Sequence, residues 1–193
     1  MTTGVSICSN ALLMLGAQTI NSFDDANSID RAKLCANLYP TTRDKVLRSH
    51  PWNCAIKRIL LAPDASPPVF GWGYQFQLPA DCLRVLEVDV GGAQADYLIE
   101  GRSILANEAS IGLRYVFANN VENTWDSLLV EIVTLAMAAR LAYPVTQSAA
   151  MEQSRMQELE MAMRRARAVD GQEDPPQTFG DFPLLQARNG GRW

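Results

Sequence analysis

The chain has a single histidine, His50, so any serine–histidine or cysteine–histidine catalytic scheme would have to use it. It lies between Ser49 and Pro51, with Trp52 close behind, at the predicted junction of a helix and a sheet. A histidine in the last turn of a helix more often caps the helix or packs against its neighbours than acts as a catalyst. We therefore interpret His50 as structural, and we keep a small hydrolase that uses it as an alternative function.

Carboxylates at two places have residue types suited to general acid–base chemistry. Asp24 and Asp25 are adjacent and precede a predicted helix, where aspartates more often stabilise loops and helix ends. Glu131 interrupts the most apolar stretch of the chain, so it either does acid–base chemistry or meets an arginine of a neighbouring subunit. The structural interpretation is favoured for both, and a hydrolase that uses a carboxylate pair belongs to the same alternative.

The residues predict neither a metal site nor a cofactor. The four cysteines form no CxxC pair, and His50 is not placed to complete a zinc site, so the sequence predicts buried free thiols. These cysteines are Cys8, Cys35, Cys54 and Cys82. The glycines at 71–73 and 91–92 lack the strand–loop–helix context of a phosphate-binding loop. We predict that the protein is not an enzyme.

The chain has 193 residues and a formal net charge of −4, which is unsuited to gripping DNA by its phosphates. Its basic cluster, Arg164, Arg165 and Arg167, is interpreted as a solvated helix face, with Glu160 placed to pair with Arg164. A DNA-binding accessory protein remains a further alternative. No apolar run of membrane-spanning length and no signal peptide are apparent, so a cytoplasmic protein without membrane contact is expected.

Hydrophobic spacing predicts four helices. The first runs over about 3–15 and stops at Gly16, and the second ends near Ser49, with Pro40 expected to kink or divide it near Leu38. The third begins near 123–124 and is the buried central helix, ended by Pro144. The fourth continues to about 169, with its inner stripe predicted at Met156, Leu159, Met163 and Ala166.

Between the second and third helices the pattern shortens to strand-like alternation. One candidate strand spans 53–61, and others include Tyr74 to Leu78, the stretch 83–90 before the turn Gly91-Gly92, a hairpin turning at Gly101, and 113–117. In the stretch 83–90 we expect Leu83, Val85 and Glu87 to share one face. The predicted class is α+β: a helical body (1–50 and 121–170), a small antiparallel sheet inserted at 51–120, and an extended C-terminal arm (171–193).

The arm combines prolines and glycines, which disfavour regular structure, with large apolar residues that solvated tails usually lack. It either packs back on its own domain or orders in a groove on a partner subunit, and we favour the partner. Its proposed partner-binding anchors are Phe179, Phe182, Leu184, Leu185 and Trp193.

Several short stretches, in order, resemble the tail tubular protein A family, the head-to-tail adaptors of short-tailed bacteriophages. The most specific is YQFQLPADCLRV at 74–85. The others are Leu15-Gly16 before the acidic loop 23–25, LRSHPWN at 47–53, YLIEGRSIL at 97–105 and LRYV at 113–116. Together they cover about residues 5 to 170, whereas the C-terminal arm matches no motif of the family.

The resemblance implies a structural protein of the virion, assembled in the bacterial cytoplasm. It implies a ring of twelve copies under the portal protein, which continues the DNA channel towards the tail nozzle and does not bind DNA sequence-specifically. It also implies that the C-terminal segment reaches the portal, while the lower side of the ring receives the nozzle protein.

Overall fold

The structure, a computed structural model, describes residues 2–26 and 29–173. Within these ranges the chain is α+β, with four helices and two small antiparallel sheets, and the sheets lie between the second and third helices in chain order. The helices are α1 Gly4–Leu13, α2 Ile29–Ser49, α3 Ser127–Thr146 and α4 Ala149–Glu173. The strands are β1 Ile56–Leu61, β2 Tyr74–Gln77, β3 Cys82–Val90, β4 Ala93–Gln94, β5 Leu98–Glu100, β6 Ser103–Ala106 and β7 Ile111–Phe117. The predicted fold class is confirmed.

Side-chain caps fix the helix starts. The Oγ1 of Thr3 accepts a hydrogen bond from the Ser6 backbone N–H at 3.1 Å, and the Ser6 Oγ accepts one from the Thr3 N–H at 2.9 Å. This reciprocal capping box satisfies two backbone donors at the start of α1. The Oδ2 of Asp126 accepts from the Leu128 N–H at 2.8 Å, so Asp126 is the N-cap of α3 and precedes its first turn. The predicted start of α3 near 123–124 is therefore a few residues early.

Two prolines lie inside helices that they were expected to interrupt. Pro40 lies within the single helix α2, and α3 continues past Pro144 to Thr146. In both, a threonine two residues after the proline donates a 2.7 Å hydrogen bond to the carbonyl two residues before it, from Thr42 to Leu38 and from Thr146 to Ala142. Each hydroxyl thus bonds to a carbonyl beside the proline, whereas the carbonyl four residues before the proline, that of Ala36 or Arg140, has lost its backbone donor. The expected division of α2 and the end of α3 at Pro144 are wrong.

The β region forms two sheets rather than the single sheet expected. The first has the strand order β1-β7-β3-β4 and the second β2-β6-β5, all antiparallel. The predicted hairpin at Gly101 joins β5 to β6, and its positive φ of 58° is a conformation that glycine adopts without strain. The candidate strand at 53–61 begins only at Ile56, because residues 53–55 form a 3₁₀ turn.

Strand β3 joins the two hydrophobic cores of the molecule. Its pairing with β7 shifts register between Cys82 and Arg84 and again between Val85 and Glu87. As a result Leu83 and Leu86 pack against the helical core, whereas Val85 packs against the core between the sheets. The expected common face for Leu83 and Val85 is wrong, because each β-bulge inserts a residue and resets the alternation.

Helix α3 is the central element of the helical core, with eleven buried residues and contacts to all three other helices. By length and composition it is the one helix in the described ranges that is long and apolar enough to cross a membrane. Most of that apolar stretch is buried inside the fold, as in the core helix of a soluble protein. The helix therefore provides only weak evidence for a membrane span.

Candidate protein-interaction surfaces

The five predicted arm anchors, Phe179, Phe182, Leu184, Leu185 and Trp193, lie outside the described residues. Helix α4 continues to Glu173, so residues 171–173, which were assigned to the arm, are helical. The sequence analysis ended this helix near residue 169 and counted Gly171 among the glycines of the arm, which disfavour regular structure. The backbone φ of Gly171 is not positive, and this residue has no neighbouring atoms in contact that would exclude a side chain.

The last turn of α4 is attached to the segment that follows α2. The Asp170 Oδ2 lies 2.8 Å from the His50 Nε2, and the Asp170 Oδ1 accepts from the Asn53 N–H at 3.3 Å. The Asn53 side-chain amide donates in turn to Glu173 Oε2 at 3.4 Å. The point at which the chain leaves the described fold is therefore fixed beside the end of α2.

His50 occupies a packed position at this attachment. Its ring meets the Trp52 ring edge-on, with centroids 4.7 Å apart, and the Trp52 Nε1 donates to the Val46 carbonyl at 3.1 Å. Within the described part of the chain no hydrogen bond joins His50 to a serine or cysteine side chain. The nearby Cys54 is half-buried, and this burial raises the pKa of its thiol, which disfavours the nucleophilic thiolate. In the described ranges His50 is thus bonded to an aspartate and packed on a tryptophan, and it is not paired with a nucleophile.

The carboxylates considered for acid–base chemistry lie in different environments. Asp25 is buried, and its Oδ2 accepts the Asn21 backbone N–H at 2.9 Å, which holds the loop after α1. Asp24 is exposed beside it, and Glu131 lies on the exposed side of α3. None of these placements aims two carboxylates at a common cavity.

The described ranges contain no group of three histidine, cysteine, aspartate or glutamate side chains able to hold a metal ion. All four cysteines are free thiols; Cys8 and Cys35 are buried, whereas Cys54 and Cys82 are half-buried. Gly91 and Gly92 adopt positive φ in the tight turn between β3 and β4, which is a hairpin and not a phosphate-binding loop.

The most exposed apolar residues lie in the loop between β1 and β2. Val69 is 97% exposed and Phe70 86%, directly after Pro67 and Pro68. Leu98 of β5 borders the same cavity of about 380 Å³. Two adjacent, nearly fully exposed large apolar side chains are typical of a surface that another molecule covers. The prolines predicted a loop here, but sequence reasoning missed its exposed apolar surface, although the run PPVFGWG places apolar residues directly after two prolines.

A second exposed apolar position lies on the outer face of the first sheet. Leu60 is 81% exposed on the edge strand β1, next to a shallow pocket of about 460 Å³. In the same face Arg58 lies directly opposite Arg114 in the register of β1 and β7, and Arg114 lies 3.8 Å from Glu87. The pocket is thus lined by charges of both signs around an apolar side chain.

On α4 the predicted inner stripe is wrong at one residue. Met156 is 48% exposed, whereas Arg155 is turned inwards, where its guanidinium donates to the Met14 carbonyl at 3.1 Å and to Glu158 at 2.6 Å. Leu159, Met163 and Ala166 pack on the helical core as expected. Arginine can lie along an apolar face while its head group bonds elsewhere, which hydrophobic spacing does not detect.

The basic cluster of α4 is exposed. Arg164 and Arg165 lie on the solvent side of the helix, and Arg167 reaches the Ser49 carbonyl at 3.4 Å. Exposed apolar side chains, Met161 at 65% and Val169 at 39%, share this helix with the arginines.

Compared with known proteins, the chain matches no protein-family model, and no curated protein sequence matches it significantly.

Proposed function

We propose that this protein is a structural head-to-tail adaptor of a bacteriophage virion, not an enzyme. Copies of the chain form a ring, a dodecamer on the family resemblance, that connects the portal protein to the tail nozzle protein and continues the channel for duplex DNA. The protein acts at the head–tail junction of the virion after assembly in the host cytoplasm.

The observation that carries the proposal is the exposed apolar tip at Val69 and Phe70. Solvating two adjacent large apolar side chains has no structural benefit for a monomer, and burying each against a partner contributes about 1.5–3 kcal/mol. Further exposed apolar residues lie on other elements, so the surface suits contacts with several neighbours, as a ring between two partners requires. These residues include Leu60, Leu98, Ile99, Tyr143 and Met161.

The fixed end of α4 supports the role proposed for the arm. Because Asp170 and Glu173 are bonded to the segment after α2, the arm departs from a defined point on the body. An arm that starts from a fixed point loses less freedom when its anchors bind to a partner groove. We therefore assign portal binding to residues 174–193.

The decisive experiment compares the full chain with a variant that lacks residues 174–193. This truncation begins after Glu173 and removes none of the described contacts, so the truncated chain should still fold and unfold in a single cooperative thermal transition. Binding to purified portal should fall by at least about a hundredfold, since loss of three or four anchors removes several kcal/mol. A full-length chain with Phe182→Ser and Leu185→Ser should lose an intermediate amount.

Undiminished portal binding by the truncated chain would refute the role of the arm. Mass measurement of the protein with and without portal tests the ring, and a single copy per portal complex contradicts it. For the hydrolase alternative, a His50→Ala protein that folds and still assembles tails removes its main candidate. Weak, salt-insensitive association with duplex DNA argues against the DNA-binding alternative.

A further inference from the structure

A groove of about 250 Å³ lies between the end of α2, strand β3 and the turn from β5 to β6. Three arginines line it, Arg48, Arg84 and Arg102, and the rest of its lining is largely apolar, including Leu83 and Ile99. None of the described carboxylates lines this groove, although the chain as a whole has an excess of acidic residues. The groove therefore concentrates positive charge around an apolar floor.

The arginine head groups are held in place by backbone carbonyls. Arg48 donates to the carbonyl of Leu83, Arg84 donates to the carbonyl of Arg48 at 3.2 Å, and Arg102 donates to the carbonyl of Pro79. Each guanidinium carries five N–H donors, so several remain for a ligand. Among the described residues none of the three forms an ion pair.

The positive charge reaches the interior of the groove. Burial raises the pKa of the Cys82 thiol that lines it; the charges of Arg102 and Arg48 act in the opposite direction, whereas the charge of the neighbouring Asp81 acts with burial. Preorganised arginines bind carboxylates through short, charge-assisted hydrogen bonds. An apolar floor beside them selects a peptide in which a carboxylate is next to large apolar side chains.

We infer that the occupant of this groove, in the free protein, is the chain's own C-terminal segment, with the Asp181 carboxylate on the arginines and the flanking Phe182 on the apolar floor. Within residues 174–187 the sequence has two acidic residues, Asp174 and Asp181, and no lysine or arginine. Asp181 follows Phe179-Gly180 and precedes Phe182-Pro183, so carboxylate and apolar groups are adjacent as the groove requires.

Proximity favours this segment over a separate molecule. The chain leaves the described fold at Glu173, which is bonded to Asn53, and Arg167 of α4 donates to Ser49, the neighbour of Arg48 in the chain. The eight residues from Glu173 to Asp181 span at most about 29 Å when extended. A tethered ligand within reach has an effective concentration in the millimolar range. This contact is inferred for the free protein and does not rest on the proposed function. A portal protein that binds the same segment would compete with the groove for it.

The test is amide hydrogen exchange, measured by mass spectrometry on the full chain in isolation. We expect the amides around 179–185 to be protected, and Asp181→Asn to accelerate their exchange by at least about tenfold, since a charged hydrogen bond is lost. Arg102→Gln should have a similar effect. The charge swap Arg102→Asp with Asp181→Arg should restore protection relative to either reversal alone.

Matched controls are Asp174→Asn in the same segment and Arg165→Gln on the exposed side of α4, both expected to leave the protection unchanged. Absence of protection in the unmodified chain would overturn the inference, as would equal effects of Asp181→Asn and Asp174→Asn. Protection that rises with protein concentration assigns the segment to a second copy and also overturns it. None of these outcomes bears on whether the truncated chain binds portal.

Discussion

The Asp170 carboxylate lies 2.8 Å from the Nε2 of His50, which is 120 residues earlier in the chain. The pair joins the last turns of α4 to the end of α2, and both side chains are largely buried, at 15% and 19% exposure. Asp170 also accepts the backbone N–H of Asn53, so one carboxylate fixes two positions of the segment after α2. The chain's one histidine thus has a structural partner on the helix that leads into the C-terminal segment.

Replacing Asp170 by alanine should lower the free energy of unfolding by about 1–3 kcal/mol, because His50 and the Asn53 amide both lose an acceptor. The matched control is Glu160→Ala, which removes an exposed carboxylate from the same helix and should change stability by no more than about 0.5 kcal/mol. Urea unfolding followed by circular dichroism measures both. Equal stabilities of the two variants would contradict a structural role for the pair.

Gly4, in the first turn of α1, faces the ring of Tyr39. A Cβ at Gly4 would lie 2.6 Å from Tyr39 Cε1, closer than atoms in contact permit. The ring has little room to move, because Tyr39 is 4% exposed and its hydroxyl donates to Glu122 at 2.7 Å. Gly4→Ala should therefore destabilise the protein by about 1–3 kcal/mol despite the better helix propensity of alanine.

Unlike Gly4, Gly171 in the last turn of α4 has room for a side chain. No atom lies within 4 Å of a Cβ built there, so Gly171→Ala should stabilise the protein by up to about 1 kcal/mol. Thermal unfolding of the two variants alongside the unmodified protein tests the contrast. A Gly4→Ala protein at least as stable as the unmodified one would show that α1 and Tyr39 separate easily.

Alkaline stability should depend on Tyr115. Burial, the charge of Asp81 and the hydrogen bond to Asp81 at 3.2 Å raise the pKa of Tyr115 to about 12. A phenol whose pKa is higher in the folded state stabilises that state below its unfolded pKa of about 10. This contribution is lost as the pH rises from about 10 through 12.

In Tyr115→Phe the free energy of unfolding should fall less between pH 10 and 12 than in the unmodified protein. At pH 7 the variant should be about 1 kcal/mol less stable, since one hydrogen bond is missing. The pKa of Tyr39 is also raised, mainly by burial and next by its hydrogen bond to Glu122. Part of the alkaline loss of stability should therefore remain in Tyr115→Phe. Tyr143→Phe, at a position 55% exposed, is the control, and denaturant unfolding at each pH provides the measurement. An unchanged slope in Tyr115→Phe would contradict this assignment.

The helices and most strands could be predicted from sequence because hydrophobic spacing records which side of each element is buried. The errors arose at two prolines that the helices accommodate and at β-bulges, where one added residue resets the spacing. Helices α2 and α3 continue through Pro40 and Pro144, and the bulges of β3 place Leu83 and Val85 in different cores. Such a bulge has no readable signal in this sequence.

The candidate surfaces were harder to predict, because exposure depends on how separate elements pack. Arg48, Arg84 and Arg102 are distant in sequence, and the fold brings them together at the junction of α2 with the β region. Val69 and Phe70 are residue types that usually lie in a hydrophobic core. Their exposure results from the position of their loop in the fold, which the sequence does not show. The predicted anchors of the arm lie outside the described residues and stay a prediction.

Substitutions at the exposed tip formed by Val69 and Phe70 should affect assembly without affecting the stability of the fold. Phe70→Ser should change the free energy of unfolding by no more than about 0.5 kcal/mol, because the side chain is 86% exposed. The contrasting variant is Phe76→Ala in β2, where a fully buried ring is removed and a loss of about 3–5 kcal/mol is expected. If the tip is covered in the assembled ring, Phe70→Ser should weaken assembly on portal or nozzle by about tenfold or more, whereas a conservative Phe70→Leu should retain most of it. Sedimentation of assembled particles provides the measurement, and full assembly by the serine variant would remove the tip from the contact surface.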